Sequence, residues 1–174
     1  TNMGKLLIAG ATGYLGRYLV QELQIQNLPF VALGRNVQKL EEMDLKDDQV
    51  AIGEVTQPKT LRGLCEGIDT VISTVGITRQ QDGLTYMDVD YQGNINLLRE
   101  AQRAGVRKFI YISAIGGEQL QHLKIFEAKE QFAEALRESG LDYSIIRPNG
   151  YFSDMREFLA MAKKGRIYLF GHGE

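Results

Sequence analysis

Cysteine is almost missing from this sequence. Cys65 stands alone among 174 residues, so neither an intrachain disulfide nor a thiolate metal cluster can form. A reducing, cytoplasmic location is the expectation. Histidine is nearly as scarce. His122 and His172 lie far apart and match no metal-ligand spacing, so no metal is expected. Positive charge is not in excess either. Lys and Arg number 20 against 22 Asp and Glu, a formal net charge of −2, which leaves no basic field for nucleic acid or an anionic membrane. No apolar run approaches the ~20 residues of a membrane-spanning helix. The first strand pattern begins within a few residues of Thr1, so no secretory leader is expected.

Apolar residues and glycine are plentiful. Hydrophobic residues make up 44% of the chain and glycines number 19, enough for one domain with a substantial core. The expected strands are Leu6 to Ala9, Phe30 to Leu33, Val50 to Ile52, Thr70 to Thr74, Phe109 to Ser113 and Tyr143 to Ile146, with a further one at Ile167 to Phe170. Helical patterns alternate with them. One opens after Gly13, with Leu15, Leu19, Val20 and Leu23 on one face; a short one covers Val37 to Met43; another starts at Pro58 and carries Leu61, Leu64 and Cys65. A long helix is expected from Leu84 to Ala104, others from Lys124 to Ser139 and from Ser153 to Lys164. Continuously apolar strands separated by helices imply an α/β domain, a doubly wound parallel sheet covered on both faces. Right-handed crossovers make 3-2-1-4-5-6 the natural strand order.

Chemistry in such sheets gathers beyond the carboxyl ends of the strands. After the first strand stands Gly10-Ala11-Thr12-Gly13-Tyr14-Leu15-Gly16, in the strand–glycine turn–helix order of a dinucleotide site. Gly10 permits the tight turn, Gly13 lets a pyrophosphate approach the backbone, and Gly16 lets helix and strand pack closely. The N–H groups of the first helical turn then face the phosphates. After the second strand comes Arg35, with no acid beside it in the sequence. An arginine here suits the 2′-phosphate of NADP(H), whereas an acid would favour NAD(H). Glu54 and Val55 after the third strand would lie near the adenine, and Thr74, Val75 and Gly76 after the fourth would run beside the adenosine half of the cofactor. Lys129 sits within the apolar stripe of Ile125, Phe126, Phe132, Ala133 and Leu136, where an ammonium must reach solvent, a partner or a ligand. A ligand is the favoured reading.

Taken together, G-A-T-G-Y-L-G, L-G-R, I-S-T-V-G, V-D-Y-Q-G-N-I-N-L-L-R-E-A, G-V-R-K-F-I-Y-I-S-A and S-G-L-D-Y-S-I-I-R-P resemble the short-chain dehydrogenase/reductase superfamily. The atypical NmrA-like and isoflavone-reductase-like branch is the nearest in pattern. The resemblance runs from about Lys5 to Phe152 and implies a Rossmann-like fold that binds NADP(H). It matches Ser113 to the catalytic serine and Lys129 to the catalytic lysine, and Arg147-Pro148 to the turn at the nicotinamide end. Ile125 occupies the place of the catalytic tyrosine, and no tyrosine in the chain has a lysine four residues later. Asp90 stands where many relatives have asparagine. Two functions follow. One is an oxidoreductase that acts on a small-molecule substrate through Lys129 and Ser113. The other is a non-catalytic NAD(P) sensor that regulates or assembles a protein partner. Relatives continue further, so part of a substrate region is expected to lie outside this chain.

Overall fold

A computed structural model describes residues 4–76, 83–113 and 122–146. The expected helix at Ser153 to Lys164, the strand at Ile167 to Phe170, and Pro148 lie outside the described residues.

Six strands form one sheet: β1 (Leu6–Ala9), β2 (Phe30–Gly34), β3 (Val50–Ile52), β4 (Thr70–Ser73), β5 (Lys108–Ile112) and β6 (Asp142–Ile146). Their order is β3-β2-β1-β4-β5-β6, and every neighbouring pair is parallel. This is the expected doubly wound, Rossmann-like α/β architecture. Four α-helices belong to the described residues: α1 (Tyr14–Ile25), α2 (Val37–Glu41), α3 (Asn94–Arg103) and α4 (His122–Arg137).

Strand periodicity sends alternate side chains to opposite faces, and here both faces are apolar. Leu7, Ala9, Val71, Phe109 and Tyr111 join one buried cluster with Leu97, Leu98, Phe132 and Leu136 from α3 and α4. Leu6, Ile8, Ile72 and Ile110 join the other with Leu19, Val20 and Leu23 from α1 and Leu40 from α2. Tyr111 meets the Phe132 ring edge-on, with centroids 4.8 Å apart, a geometry the ring quadrupoles favour.

Two expected helices differ in the structure. Residues from Pro58 form only a 3-10 turn, Pro58–Leu61. Gly63 (φ 86°) and Gly67 (φ 73°) then take the left-handed conformation, which breaks helical hydrogen bonding. The loop is tied instead to Glu100 on α3, whose carboxylate accepts the Cys65 N–H at 3.2 Å. Cys65 itself is fully buried in the core. Burial, reinforced by the Glu100 charge, pushes its thiol up to about 12. The second difference lies before α3. Met87–Gly93 winds as a π-helix rather than as part of one long α-helix, and α-helical winding starts only at Asn94.

Candidate functional site

The β1–α1 turn shows why its glycines stand where they do. Gly10 has φ 79°, and a Cβ there would meet Thr74 Oγ1 at 2.5 Å. A Cβ at Gly16 would run into the Gly10 carbonyl and, at 2.8 Å, the Ala11 Cα, so α1 packs onto the turn only through a glycine. Gly13 is different. A Cβ there would find only the Gly10 carbonyl oxygen, at 3.4 Å, because its other side faces the cleft. Gly13 is also the N-cap of α1 and supplies no side-chain hydrogen bond, and the first turn carries no acidic residue. The free N–H groups and positive end of the helix thus face the cleft without a protein anion. Leu15 turns into the core beneath α1, so its contribution to the turn is its backbone.

The cleft has a volume of about 360 Å³ and lies across the carboxyl ends of β1 to β4. Gly10, Thr12, Gly13, Arg35, Glu54, Val55, Thr74, Val75 and Gly76 all line it. These nine came from separate strand ends in the sequence, and the parallel sheet brings them to one edge. Five of the lining positions, Gly10, Gly13, Gly34, Gly53 and Gly76, carry no side chain, which opens room for a ligand backbone to lie against the chain.

At the β2 end, Arg35 Nη1 stands 3.3 Å from Glu54 Oε2. The acid absent beside Arg35 in the sequence is therefore supplied from the end of β3. Glu54 is itself held, since its Oε1 accepts from Thr56 N–H at 3.3 Å and from Thr56 Oγ1 at 3.1 Å. Arg35 is more than half exposed. Lys39, on α2, also lines the cleft and was not singled out in the sequence. Its place in the first turn of the short helix that follows Arg35 is the signal that could have found it.

At the β4 end, the cleft passes Val75, Gly76, Leu84 and Val89. Beneath Gly76 lies a buried polar cluster. Asn94 Oδ1 accepts from Ser73 Oγ at 2.6 Å, and Asn94 Nδ2 donates to Val75 O at 3.1 Å and to Asp90 O at 2.8 Å. Ser73 Oγ in turn accepts the Val75 N–H at 3.2 Å. One asparagine thereby fixes the end of β4 to the π-helix. Asp90 Oδ1 then accepts from Lys129 Nζ at 2.6 Å, with the two side chains 0% and 5% exposed. A Cβ at Gly76 would come within 2.7 Å of Asp90 Oδ1 and 2.8 Å of Lys129 Nζ. The ion pair thus lies directly against Gly76, which itself lines the cleft. The lysine in the apolar stripe has a protein partner, and that partner is Asp90.

Ser113 and Lys129 are both buried and do not line the cleft itself. Ser113 is held at the end of β5, its N–H donating to Ile146 O at 2.7 Å. The backbone of Tyr14 opens α1. Among the described residues no group of His, Cys, Asp and Glu could hold a metal ion, and no helix is long and apolar enough to cross a membrane.

A parallel sheet of this order, with a glycine-floored cleft at the switch point and an uncapped helix N-terminus beneath it, defines a dinucleotide-binding domain. The chain belongs to the NAD(P)H-binding family, which matches residues 10–165. It is 30% identical over 151 residues to the photosystem II assembly factor Ycf39 of Synechocystis sp., covering 87% of this chain and 46% of that protein. It is also 30% identical over 184 residues to a chloroplastic divinyl chlorophyllide a 8-vinyl-reductase of Oryza sativa subsp. indica, covering 97% of this chain and 45% of that protein. The chain spans about half the length of these curated relatives. Among solved structures it superimposes on a putative NAD-dependent epimerase/dehydratase from Bacillus halodurans with a TM-score of 0.68 and 25% identity, covering 83% of this chain and 70% of the other.

Proposed function

We propose that this chain is the NADP(H)-binding domain of an oxidoreductase of the atypical short-chain dehydrogenase/reductase type, in the NmrA-like and isoflavone-reductase-like branch. The observation that carries this reading is the cleft itself, with glycines along its floor, a helix N-terminus beneath its centre and two cations, Arg35 and Lys39, at its β2 end. The first-turn N–H groups of α1 would hold the pyrophosphate. Arg35 and Lys39 would hold the 2′-phosphate, with Arg35 exchanging the Glu54 carboxylate for it. The nicotinamide half would continue past Gly76 toward Lys129 and Ser113. When bound, the cofactor supplies or accepts a hydride. Lys129 would orient the nicotinamide ribose and could pass a proton to the substrate, and the Ser113 hydroxyl would bind the substrate oxygen.

Titration of the protein with NADP+, NADPH, NAD+ and NADH tests the reading. Charge-assisted hydrogen bonds to the 2′-phosphate should make the NADP forms bind about tenfold or more tightly. Equal affinity for all four would remove the 2′-phosphate role, and no binding would overturn the proposal.

A second reading is a non-catalytic NAD(P) redox sensor that regulates or assembles a protein partner. Two observations favour it. Ile125 stands in the place of the tyrosine, and the one buried ammonium in the expected position is already engaged by Asp90 at 2.6 Å. One similar protein is described as an assembly factor and another as a reductase. Oxidation of NADPH in the presence of ketones, enones, quinones and azo compounds separates the two. Turnover of any of them supports the enzyme, and none supports the sensor.

A further inference from the structure

We propose that Asp90 sets which redox form of the dinucleotide this site prefers. This rests on the cofactor reading above, and specifically on the nicotinamide half lying at the Gly76 end of the cleft. The two redox forms differ in one feature that electrostatics can read: the oxidised ring is a cation and the reduced ring is neutral, while the phosphates are the same. A lone ammonium below Gly76 would repel the oxidised ring. Here the ammonium of Lys129 is balanced by the Asp90 carboxylate at 2.6 Å, and both groups are buried, where charge is poorly screened. The pair as a whole is neutral, so the cationic ring meets a dipole instead of a net positive charge.

The arrangement is fixed by the fold. Asp90 sits on the π-helix, and its carbonyl is held by Asn94 Nδ2, which also holds Val75 O. Carboxylate, π-helix and the strand end leading to Gly76 therefore form one hydrogen-bonded unit. Asparagine in place of Asp90 keeps the size of the side chain and removes its charge. Asp90 is thus a positioning and charge-balancing residue, and it transfers no proton in this scheme.

Calorimetric titration of wild-type protein and Asp90→Asn with NADP+ and NADPH tests the proposal. The readout is the ratio of the two affinities. Asp90→Asn leaves the ammonium unbalanced and should shift that ratio about tenfold toward NADPH. Adding Lys129→Met to Asp90→Asn removes the remaining charge and should return the ratio to near the wild-type value, even though overall affinity falls. A purely structural role for Asp90 would not be rescued in this way. A folded Asp90→Asn with the wild-type ratio overturns the proposal, as does a double variant that keeps the shifted ratio. Should Asp90→Asn not fold, Lys129→Met gives the same test with the sign reversed. In that variant the Asp90 carboxylate is no longer balanced by the ammonium and should draw the ratio toward NADP+, and an unmoved or oppositely moved ratio overturns the proposal. NAD+ and NADH carry the same difference in ring charge, so repeating the series with them keeps the test valid if the 2′-phosphate reading fails. Absence of any dinucleotide binding in the wild type would instead overturn the cofactor reading.

Discussion

Two ion pairs stand at the two ends of one cleft, and they are built differently. Arg35 and Glu54, at the β2 end, meet at 3.3 Å with Arg35 more than half exposed. Lys129 and Asp90, at the β4 end, meet at 2.6 Å with both side chains out of solvent. Water and salt screen the first pair, so it contributes little to stability and can exchange partners when an anion arrives. The second pair lies out of solvent, so if the Asp90 carboxylate is lost no water stands in for it beside the ammonium. An exchangeable pair suits the recognition of a phosphate that comes and goes. A fixed pair suits a constant electrostatic background for a ring whose charge changes.

The largest effect expected from breaking this symmetry is on stability. Asp90→Ala leaves an ammonium buried without its partner and should cost about 3–5 kcal/mol, read from urea unfolding. Asp90→Leu combined with Lys129→Met should recover most of that loss, because two apolar side chains replace the pair. A loss below about 1 kcal/mol for Asp90→Ala would make the buried pair no stronger than an exposed one.

Gly13→Val tests the floor between the two pairs without touching either. The new Cβ meets only the Gly10 carbonyl oxygen, at 3.4 Å, so the fold should tolerate it. Its branches project where the pyrophosphate would lie. Dinucleotide affinity should fall about a hundredfold or more, equivalent to about 2.7 kcal/mol, with the circular dichroism spectrum unchanged. Unaltered affinity would place the phosphates elsewhere.

Arg35→Ala should give the exposed pair's signature. NADP(H) affinity should fall about tenfold while NAD(H) affinity hardly changes, and stability should move by less than about 1 kcal/mol. Equal losses for both cofactors would remove Arg35 from the 2′-phosphate.

The smallest effect belongs to a third pair, outside the cleft. Arg107 grips Asp69 with Nε at 3.2 Å and Nη2 at 3.0 Å. Those hydrogen bonds hold the Asp69 carboxyl below its ordinary range despite partial burial. A carboxylate lowered in the folded state stabilises the protein above its unfolded-state pKa, and that stabilisation is lost as pH falls through the folded value. Asp69→Asn should therefore slightly flatten the acid limb of a stability–pH curve, and added salt should shrink the difference. An acid limb identical to wild type at low salt would mean that Arg107 does nothing for Asp69 that water does not.

The sheet could be read from the sequence because each strand is a short apolar run bounded by glycine or charge. A strand buried on both faces has no alternation to confuse with anything else. The nine cleft residues were legible for the same reason: once the strand order is known, the strand ends are neighbours. Long-range partners were not legible. Nothing in the order of residues says that Glu54 reaches Arg35, or that the partner of Lys129 is Asp90, 39 positions earlier. The helix expected after Pro58 was misread because Leu61, Leu64 and Cys65 have helical spacing. Two left-handed glycines and the grip of Glu100 on the Cys65 N–H override that spacing. The π-helix was invisible because its residues keep helical character and differ only in how many make a turn.

That wide turn makes the charge at the cleft a question of length as well as composition. Each residue of an α-helix advances the side chains by about 100°, and the Met87–Gly93 segment departs from that phase. Both Asp90 and Asn94 point inward across it, each 0% exposed. Removing one residue between Met87 and Asp90 would leave every side chain of the buried cluster in the protein. Ordinary winding would then carry the preceding loop, with Leu84 and its edge of the cleft, around the helix axis relative to Asn94. A single-codon deletion here could uncouple the cleft wall from the charge beneath it, an outcome no substitution at either residue would reproduce.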